Sequence, residues 1–423
     1  MSRHGILFAF IICLPLTAFL RTITAEVRAQ EGPRPAPSQR NRAGDQAGSA
    51  ETTYTSKDSL AVQVENALAR GDLNSARLLL AKFLEAPGLT ADDLLQVGVN
   101  LAQHDLYLEA SEVFRRCTTD HPKVFEGFYN LSLAQLALQK PRDALENLAK
   151  APQASPRGEL ARTYLRGKIE SDLGQYTEAE RDLSTAFAAA PQDENSGLDL
   201  GLCYIRERKY QPAAETFRKA LGFHEDSPYL RLGLAVAQYL GGLAADSIET
   251  CRALLSRQPN FSPARVMMAF ALYMQGRVDE AAILSAQGLR DPSPFPYLYY
   301  IHAAALLKLQ SKDYGTMVND LTLAVQSIPH CALCYLALSK VHRRKGELET
   351  ATTDLRTALG LDPGLAEAWY NLASVYDQAG RHLEAQQARR EFDKVKEIKA
   401  NLETEMLRDV FLKTLGVDGL PQR

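Results

Sequence analysis

Proline recurs along this chain at a spacing of about 34 residues, and no other feature constrains the fold as strongly. Six prolines are separated by multiples of 34, to within one or two residues: Pro122, Pro156, Pro191, Pro259, Pro329 and Pro363. A period of this length is typical of stacked helical hairpins, in which each unit packs only on its neighbours. The sequence therefore predicts an array of hairpins and not one central core.

Ten units align on this period, with one inserted residue before the fourth unit and two before the eighth. Each unit reads as two helices of about a dozen residues, with glycine often marking the turn between them. In the first helix one place is almost always Gly, Ala or Ser, which lets two helices approach closely. The units begin at Lys57, Ala91, Phe125, Leu160, Glu194, Pro228, Ser262, Leu298, Ala332 and Ala366.

These units resemble the tetratricopeptide repeat family. Its signature is an aromatic residue, then Leu-Gly and Tyr at helical spacing, then Ala, a second aromatic residue and a closing Pro. Two units follow it in order, with Leu200, Gly201, Tyr204, Ala213 and Phe217 in the fifth and Trp369, Leu372, Ala373, Tyr376 and Ala385 in the tenth. The resemblance implies an all-α fold, a right-handed superhelical solenoid of about ten hairpins whose first helices line a concave groove.

The N-terminus has the pattern of an export signal. Arg3 precedes an apolar run from Ile6 to Leu20, and the small residues Ala25 and Ala29 follow as cleavage positions. A membrane-spanning helix needs about 20 apolar residues, so an uncleaved anchor is the less favoured alternative. We expect residues 1–25 to be a signal peptide and the protein to be periplasmic or secreted, or membrane-anchored if the signal is retained.

Two further segments flank the array, which is predicted to span residues 57–399. Residues 26–56 are rich in Pro, Arg, Gln, Ala, Gly and Ser and have little to bury, which indicates a flexible leader. Residues 400–423 contain an amphipathic stretch from 401 to 415. It is expected to cap the last hairpin, and the alternative is a segment that docks in the groove of its own chain or of a second copy.

The predicted groove has an apolar and aromatic stripe in its middle. Leu and Val at helical spacing are most often core, so part of this stripe could pack between adjacent first helices. Tyr and His are better suited to a half-exposed surface, and such a groove would take an extended or helical peptide with large apolar side chains. The candidate residues are Leu198, Leu202, Ile205, Leu232, Val236, Tyr239, Val266, Phe270, Tyr273, Tyr299, His302 and Leu306.

Two cysteines form the one sequence pattern that suggests a reactive site. Cys331 and Cys334 stand at the predicted start of a first helix, where the helix dipole would lower a thiol pKa. In an exported protein a local disulfide or a packing pair is favoured over redox activity. Zinc would need further ligands at a fixed geometry, so no metal site is predicted.

The net charge and the absence of catalytic motifs limit the classes of function that we expect for this chain. The net charge of −3 gives no reason to expect nucleic acid or an anionic membrane surface as a partner. Motifs for zinc peptidases, serine hydrolases and phosphate-binding loops are absent from the sequence. The sequence thus predicts a scaffold or adaptor that binds a protein or peptide. It predicts no enzymatic activity and no cofactor. The alternatives are a thiol redox protein using Cys331 and Cys334 and a structural solenoid that self-assembles through its C-terminal helix.

Overall fold

The computed structural model describes residues 57–396, 404 and 408–412. The predicted signal peptide, the leader up to residue 56 and most of the predicted C-terminal helix lie outside the described residues. The chain divides into two compact units between Ala190 and Pro191, directly after the fourth hairpin.

The first unit is built from four helical hairpins, each made of two consecutive helices packed on one another. Its core is one cluster of apolar side chains that runs from Leu60 to Ile169. The helices are α1 (Lys57–Ala69), α2 (Leu73–Glu85), α3 (Ala91–Gln103), α4 (Tyr107–Asp120), α5 (Phe125–Ala137), α6 (Pro141–Lys150), α7 (Pro156–Asp172) and α8 (Tyr176–Ala189).

The second unit continues the pattern with six hairpins. Residues 408–412 are helical and belong to this unit. The helices are α9 (Glu194–Arg206), α10 (Tyr210–Leu221), α11 (Pro228–Leu240), α12 (Ala244–Arg257), α13 (Ser262–Met274), α14 (Val278–Gly288), α15 (Pro296–Lys308), α16 (Tyr314–Ser327), α17 (Ala332–Lys345), α18 (Leu348–Leu361), α19 (Ala366–Gln378) and α20 (His382–Val395).

The all-α hairpin array predicted from the sequence is confirmed, and the part of the chain that the structure describes contains no β-strand. No helix in that part combines the length and the apolar character that a membrane span requires. Eight of the first helices begin at the predicted residue. The other two, α7 and α15, begin earlier, at Pro156 and Pro296, because each has proline at a first-turn position, where its fixed φ favours a helix start.

Every hairpin turns through one residue with positive φ, placed one or two positions after the first helix ends. Six hairpins use glycine there, as at Gly174 with φ 76°, whereas four use Asp105, Gln139, Arg208 and Gln310. At Gln139 the backbone N–H groups of Gln139 and Lys140 donate to the carbonyls of Leu136 and Gln135, at 3.0 and 2.9 Å. These bonds satisfy the last carbonyls of α5 and need a left-handed residue, which is unfavourable for any residue with a Cβ atom.

The two helices of a hairpin are held close by a small residue that faces a large one. The ring of Phe217 is fully buried on α10, and a Cβ atom added to Gly201 of α9 would overlap with it. A Cβ atom on Gly233 of the next first helix would also lie 2.6 Å from the same ring. Gly98 and Phe114 repeat this arrangement in the first unit. The absence of a side chain at these glycines therefore sets the distance between helices.

We expect Gln139→Gly to raise the free energy of unfolding of the first unit by about 0.5–1 kcal/mol, since glycine adopts positive φ without steric cost. Gln139 is exposed, so little packing is lost. The matched control Gln139→Ala removes the same side chain but keeps the Cβ atom, and it should give no stabilisation. Denaturant unfolding followed by circular dichroism measures both variants, and equal effects would contradict the strain at this turn.

Candidate functional site

The predicted stripe lies on the four first helices α9, α11, α13 and α15, all in the second unit. Burial divides its twelve side chains into two groups. Seven are at most 7% exposed, namely Leu202, Ile205, Leu232, Val236, Val266, Phe270 and Tyr273. The other five are half-buried, namely Leu198, Tyr239, Tyr299, His302 and Leu306. We call these five residues the groove surface.

The buried part of the stripe packs between adjacent first helices. Tyr239 of α11 meets Phe270 of α13 edge to face, with ring centroids 5.7 Å apart. Lys308 of α15 places its ammonium group 3.7 Å from the ring centroid of Tyr273 on α13. These contacts bind the hairpins to one another, so in this structure the seven buried residues present little surface to a partner.

The groove surface is densest on α15. Tyr299, His302 and Leu306 follow one another at spacings of three and four residues, which places them on one face of this helix. The Nδ1 atom of His302 lies 2.6 Å from a carboxylate oxygen of Asp320 on α16. Because a carboxylate oxygen accepts, Nδ1 carries the proton and the ring is held in one orientation, with Nε2 on its far side.

Asp320 was not predicted as a site residue. It is 5% exposed and stands 18 positions after His302 on the second helix of the same hairpin. Residues so far apart on different helices share no periodic pattern, so the sequence offers no signal that would join them. Only the packing of α15 on α16 brings the two side chains together.

Residues 408–412, near the C-terminus, lie close to the same helix, α15. Val410 and Phe411 are 3% and 1% exposed, so this segment is packed within the second unit. Burial, and after it the negative charge of Asp409, raises the pKa of Tyr297 to about 12. Tyr297 stands in the first turn of α15, which places residues 408–412 near the start of the helix that carries most of the groove surface.

A basic cluster on α17 joins hairpins. The ammonium group of Lys340 lies 2.7 Å from a carboxylate oxygen of Glu367 on α19. Arg343 donates to the Ser374 hydroxyl at 3.2 Å, and Arg344 donates to the Leu307 carbonyl at 3.0 Å. These side chains are engaged within the fold and link α17 to both neighbouring first helices.

Cys331 and Cys334 form a disulfide, with their Cα atoms 5.3 Å apart. Cys331 is the N-cap residue of α17, and its sulfur accepts a hydrogen bond of 3.2 Å from the backbone N–H of Cys334. Cys117, Cys203 and Cys251 are buried and keep their thiol groups. Among the described residues, no group of three or more His, Cys, Asp or Glu side chains is arranged to hold a metal ion.

A concave surface lies between α18, α19 and α20 and was not predicted as a site. It is a cleft of about 530 Å³, with Trp369 and Tyr376 among its lining residues. The indole N–H of Trp369, the one tryptophan in the chain, donates to the Pro363 carbonyl at 2.9 Å. Arg356 donates to the Tyr376 hydroxyl at 3.2 Å. The repeat signature marks the aromatic residues but gives no sign that a cleft remains beside them.

The sequence is similar to parts of longer known proteins. The chain is 26% identical over 388 residues to cellulose synthase operon protein C of Xanthomonas axonopodis pv. citri, covering 76% of this chain and 26% of that protein. It is 28% identical over 130 residues to mouse superkiller complex protein 3, covering 30% of this chain and 8% of that protein. The chain therefore spans about a quarter or less of the length of these relatives.

Among solved structures, a tetratricopeptide repeat protein from Parabacteroides merdae matches 60% of this chain and 99% of its own, with a TM-score of 0.48 and 20% sequence identity. The tetratricopeptide repeat family model matches three segments of the sequence, residues 164–228, 198–263 and 336–392. Repeats of this kind form scaffolds for protein interaction. The chain thus contains tetratricopeptide repeats at residues 164–263 and 336–392, and hairpins of the same design lie before and between these segments.

Proposed function

We propose that this protein is an exported adaptor, without enzymatic activity of its own, that binds a partner protein through its groove surface. The partner supplies a segment with large apolar side chains, in an extended or helical conformation. The proposal is carried by one observation. Tyr299, His302 and Leu306 stay half-buried on α15, whereas Leu298, Ile301 and Ala305 of the same helix are at most 2% exposed.

The composition of the groove surface supports this kind of partner. A tyrosine has a large apolar ring and a hydroxyl that remains hydrogen-bonded when covered, and leucine adds a purely apolar contact. His302 contributes a polar group whose ring is already oriented by Asp320, so little conformational entropy is lost when it binds. With Nδ1 held as donor, the neutral ring offers Nε2 as an acceptor for a backbone N–H of the partner.

Export is the second part of the proposal and rests on the sequence alone. The apolar run from Ile6 to Leu20 follows a basic residue and precedes small residues at Ala25 and Ala29. This order is that of a secretory signal, and it favours the cell envelope or the exterior as the place of action. The partner is then a protein of the same compartment.

The burial of the stripe predicts losses of different size for two charged substitutions. Phe270→Glu places a carboxylate where the native ring is 1% exposed, and we expect it to lower the free energy of unfolding by at least about 3 kcal/mol. Leu306→Glu lies on the half-buried groove surface and should cost about 1 kcal/mol or less. Thermal unfolding followed by circular dichroism compares them, and equal losses would show that the groove surface is core.

Site-specific photocross-linking in whole cells tests the groove surface directly. A photoreactive phenylalanine analogue at position 299 or 306 should cross-link one partner, identified by mass spectrometry. The same group at Ile283 of α14, where the native side chain is 60% exposed, should not cross-link it. A partner captured equally from position 283 would contradict the proposal.

Cross-links within one chain, from position 306 to residues 400–423, would show instead that the protein's own C-terminal segment occupies the groove surface. Cross-links between two copies would favour the self-assembling solenoid. A chain ending at residue 399 separates these outcomes, since a true partner should still be captured by it.

The proposed export predicts the N-terminus of the mature protein. We expect Edman sequencing of the purified native protein to begin at Glu26 or Gln30, directly after the small residues of the cleavage positions. The matched control replaces both Ala25 and Ala29 by Phe, and it should keep its N-terminal segment because cleavage requires small residues there. Retention of Met1 in the native protein would instead indicate an anchor.

A further inference from the structure

The disulfide at the start of α17 joins two residues of one helical turn. Cys331 caps the helix and Cys334 lies three residues later. The bond therefore connects no separate helices or hairpins. The stabilisation from a cross-link grows with the length of the loop that it closes, so this disulfide contributes little to holding the array together.

The sulfur of Cys331 lies at the start of a helix, where negative charge on a thiolate is stabilised. The backbone N–H of Cys334 already donates to Sγ of Cys331 at 3.2 Å. The dipole of this 14-residue helix acts on the same sulfur. A thiolate at Cys331 would be stabilised by both, which favours the reduced pair and makes Cys331 a good nucleophile.

Burial distinguishes the two cysteines. Cys331 is 6% exposed, whereas Cys334 is fully buried. The small exposed area of the pair therefore lies at Cys331, and this is the side from which an incoming thiolate would approach. The buried Cys334 is then the leaving thiolate when the disulfide opens, and it bonds to Cys331 again when the pair is reoxidised.

We propose that Cys331 and Cys334 form a thiol–disulfide exchange site. The thiolate of a small thiol or of a dithiol protein attacks Sγ of Cys331, the bond to Cys334 breaks, and Cys334 leaves as a thiolate that takes up a proton. A second thiol then attacks the mixed disulfide and releases Cys331 as a thiolate. The balance is one protein disulfide and two thiols on one side, and one protein dithiol and one external disulfide on the other.

The other cysteines that the structure describes provide internal controls. Cys203 and Cys251 are fully buried, as is Cys117. Burial raises the pKa of Cys117 to about 11, with carboxylates such as Glu126 adding to the effect. Burial also raises the pKa of Cys251. None of these thiols should exchange while the protein is folded.

The experiment equilibrates the folded protein with mixtures of reduced and oxidised glutathione and determines the thiol state of each cysteine by mass spectrometry. Structural disulfides resist reduction by glutathione, whereas exchange sites are oxidised or reduced within its range. We expect the pair to pass from disulfide to dithiol across the series, with the helical circular dichroism signal unchanged. A pair that stays oxidised throughout, or that loses helicity when reduced, would overturn the proposal.

Two matched variants test which sulfur reacts. Cys334→Ser leaves Cys331 alone and should form a mixed disulfide with oxidised glutathione, while Cys331→Ser should form none at Cys334. The double variant Cys331→Ala, Cys334→Ala should keep the helicity of the native protein, which separates loss of exchange from loss of fold. Equal labelling of the two single variants would contradict the assigned order of attack. All of these outcomes are independent of whether the groove surface binds a partner.

Discussion

The close contact between a small residue on the first helix of a hairpin and a large one on the second is the interaction on which the rest of the structure depends. Phe217 fills the space that Gly201 and Gly233 leave open, and so it fixes the distance between α9 and α10 and between α10 and α11. Each following hairpin packs on the helices whose separation this contact sets. A wider separation in one hairpin would displace the first helix of the next.

The sizes of the facing residues vary in opposite directions along the array. Glycine stands opposite phenylalanine in the hairpins of Phe114 and Phe217. At the same register the next hairpins pair alanine with smaller partners, as Ala235 with Cys251 and Ala269 with Ser285, and all four are fully buried. A larger residue on the first helix thus goes with a smaller one on the second. The summed volume of the pair falls, which leaves room for neighbouring side chains to pack there.

The hairpin array could be predicted from the sequence because its causes are local and repeat with one period. Proline and the small residues of the first helix recur where the backbone and the packing require them, as Gly201 shows. The turn residues were harder to find, because glycine marks only some of them and Gln139 takes positive φ without any sequence sign. There the hydrogen bonds at the end of α5 outweigh the local preference of the residue.

The groove could be predicted only in part, because periodicity shows which residues share a helix face but not how deeply the neighbouring hairpins cover it. Val236 and Phe270 have the same spacing as Leu306, yet two of them are core and one is half-buried.

The division of the stripe has a consequence for how such an array can bind. Where adjacent first helices pack tightly, as at Val236 and Phe270, the apolar residues are buried, stabilise the array and leave little for a partner. The half-buried residues on α15 coincide with an oriented histidine and with the buried C-terminal residues nearby. In the binding mode proposed above, contact with the partner is therefore concentrated on a short stretch of one helix, and the packed hairpins around it hold that stretch in place.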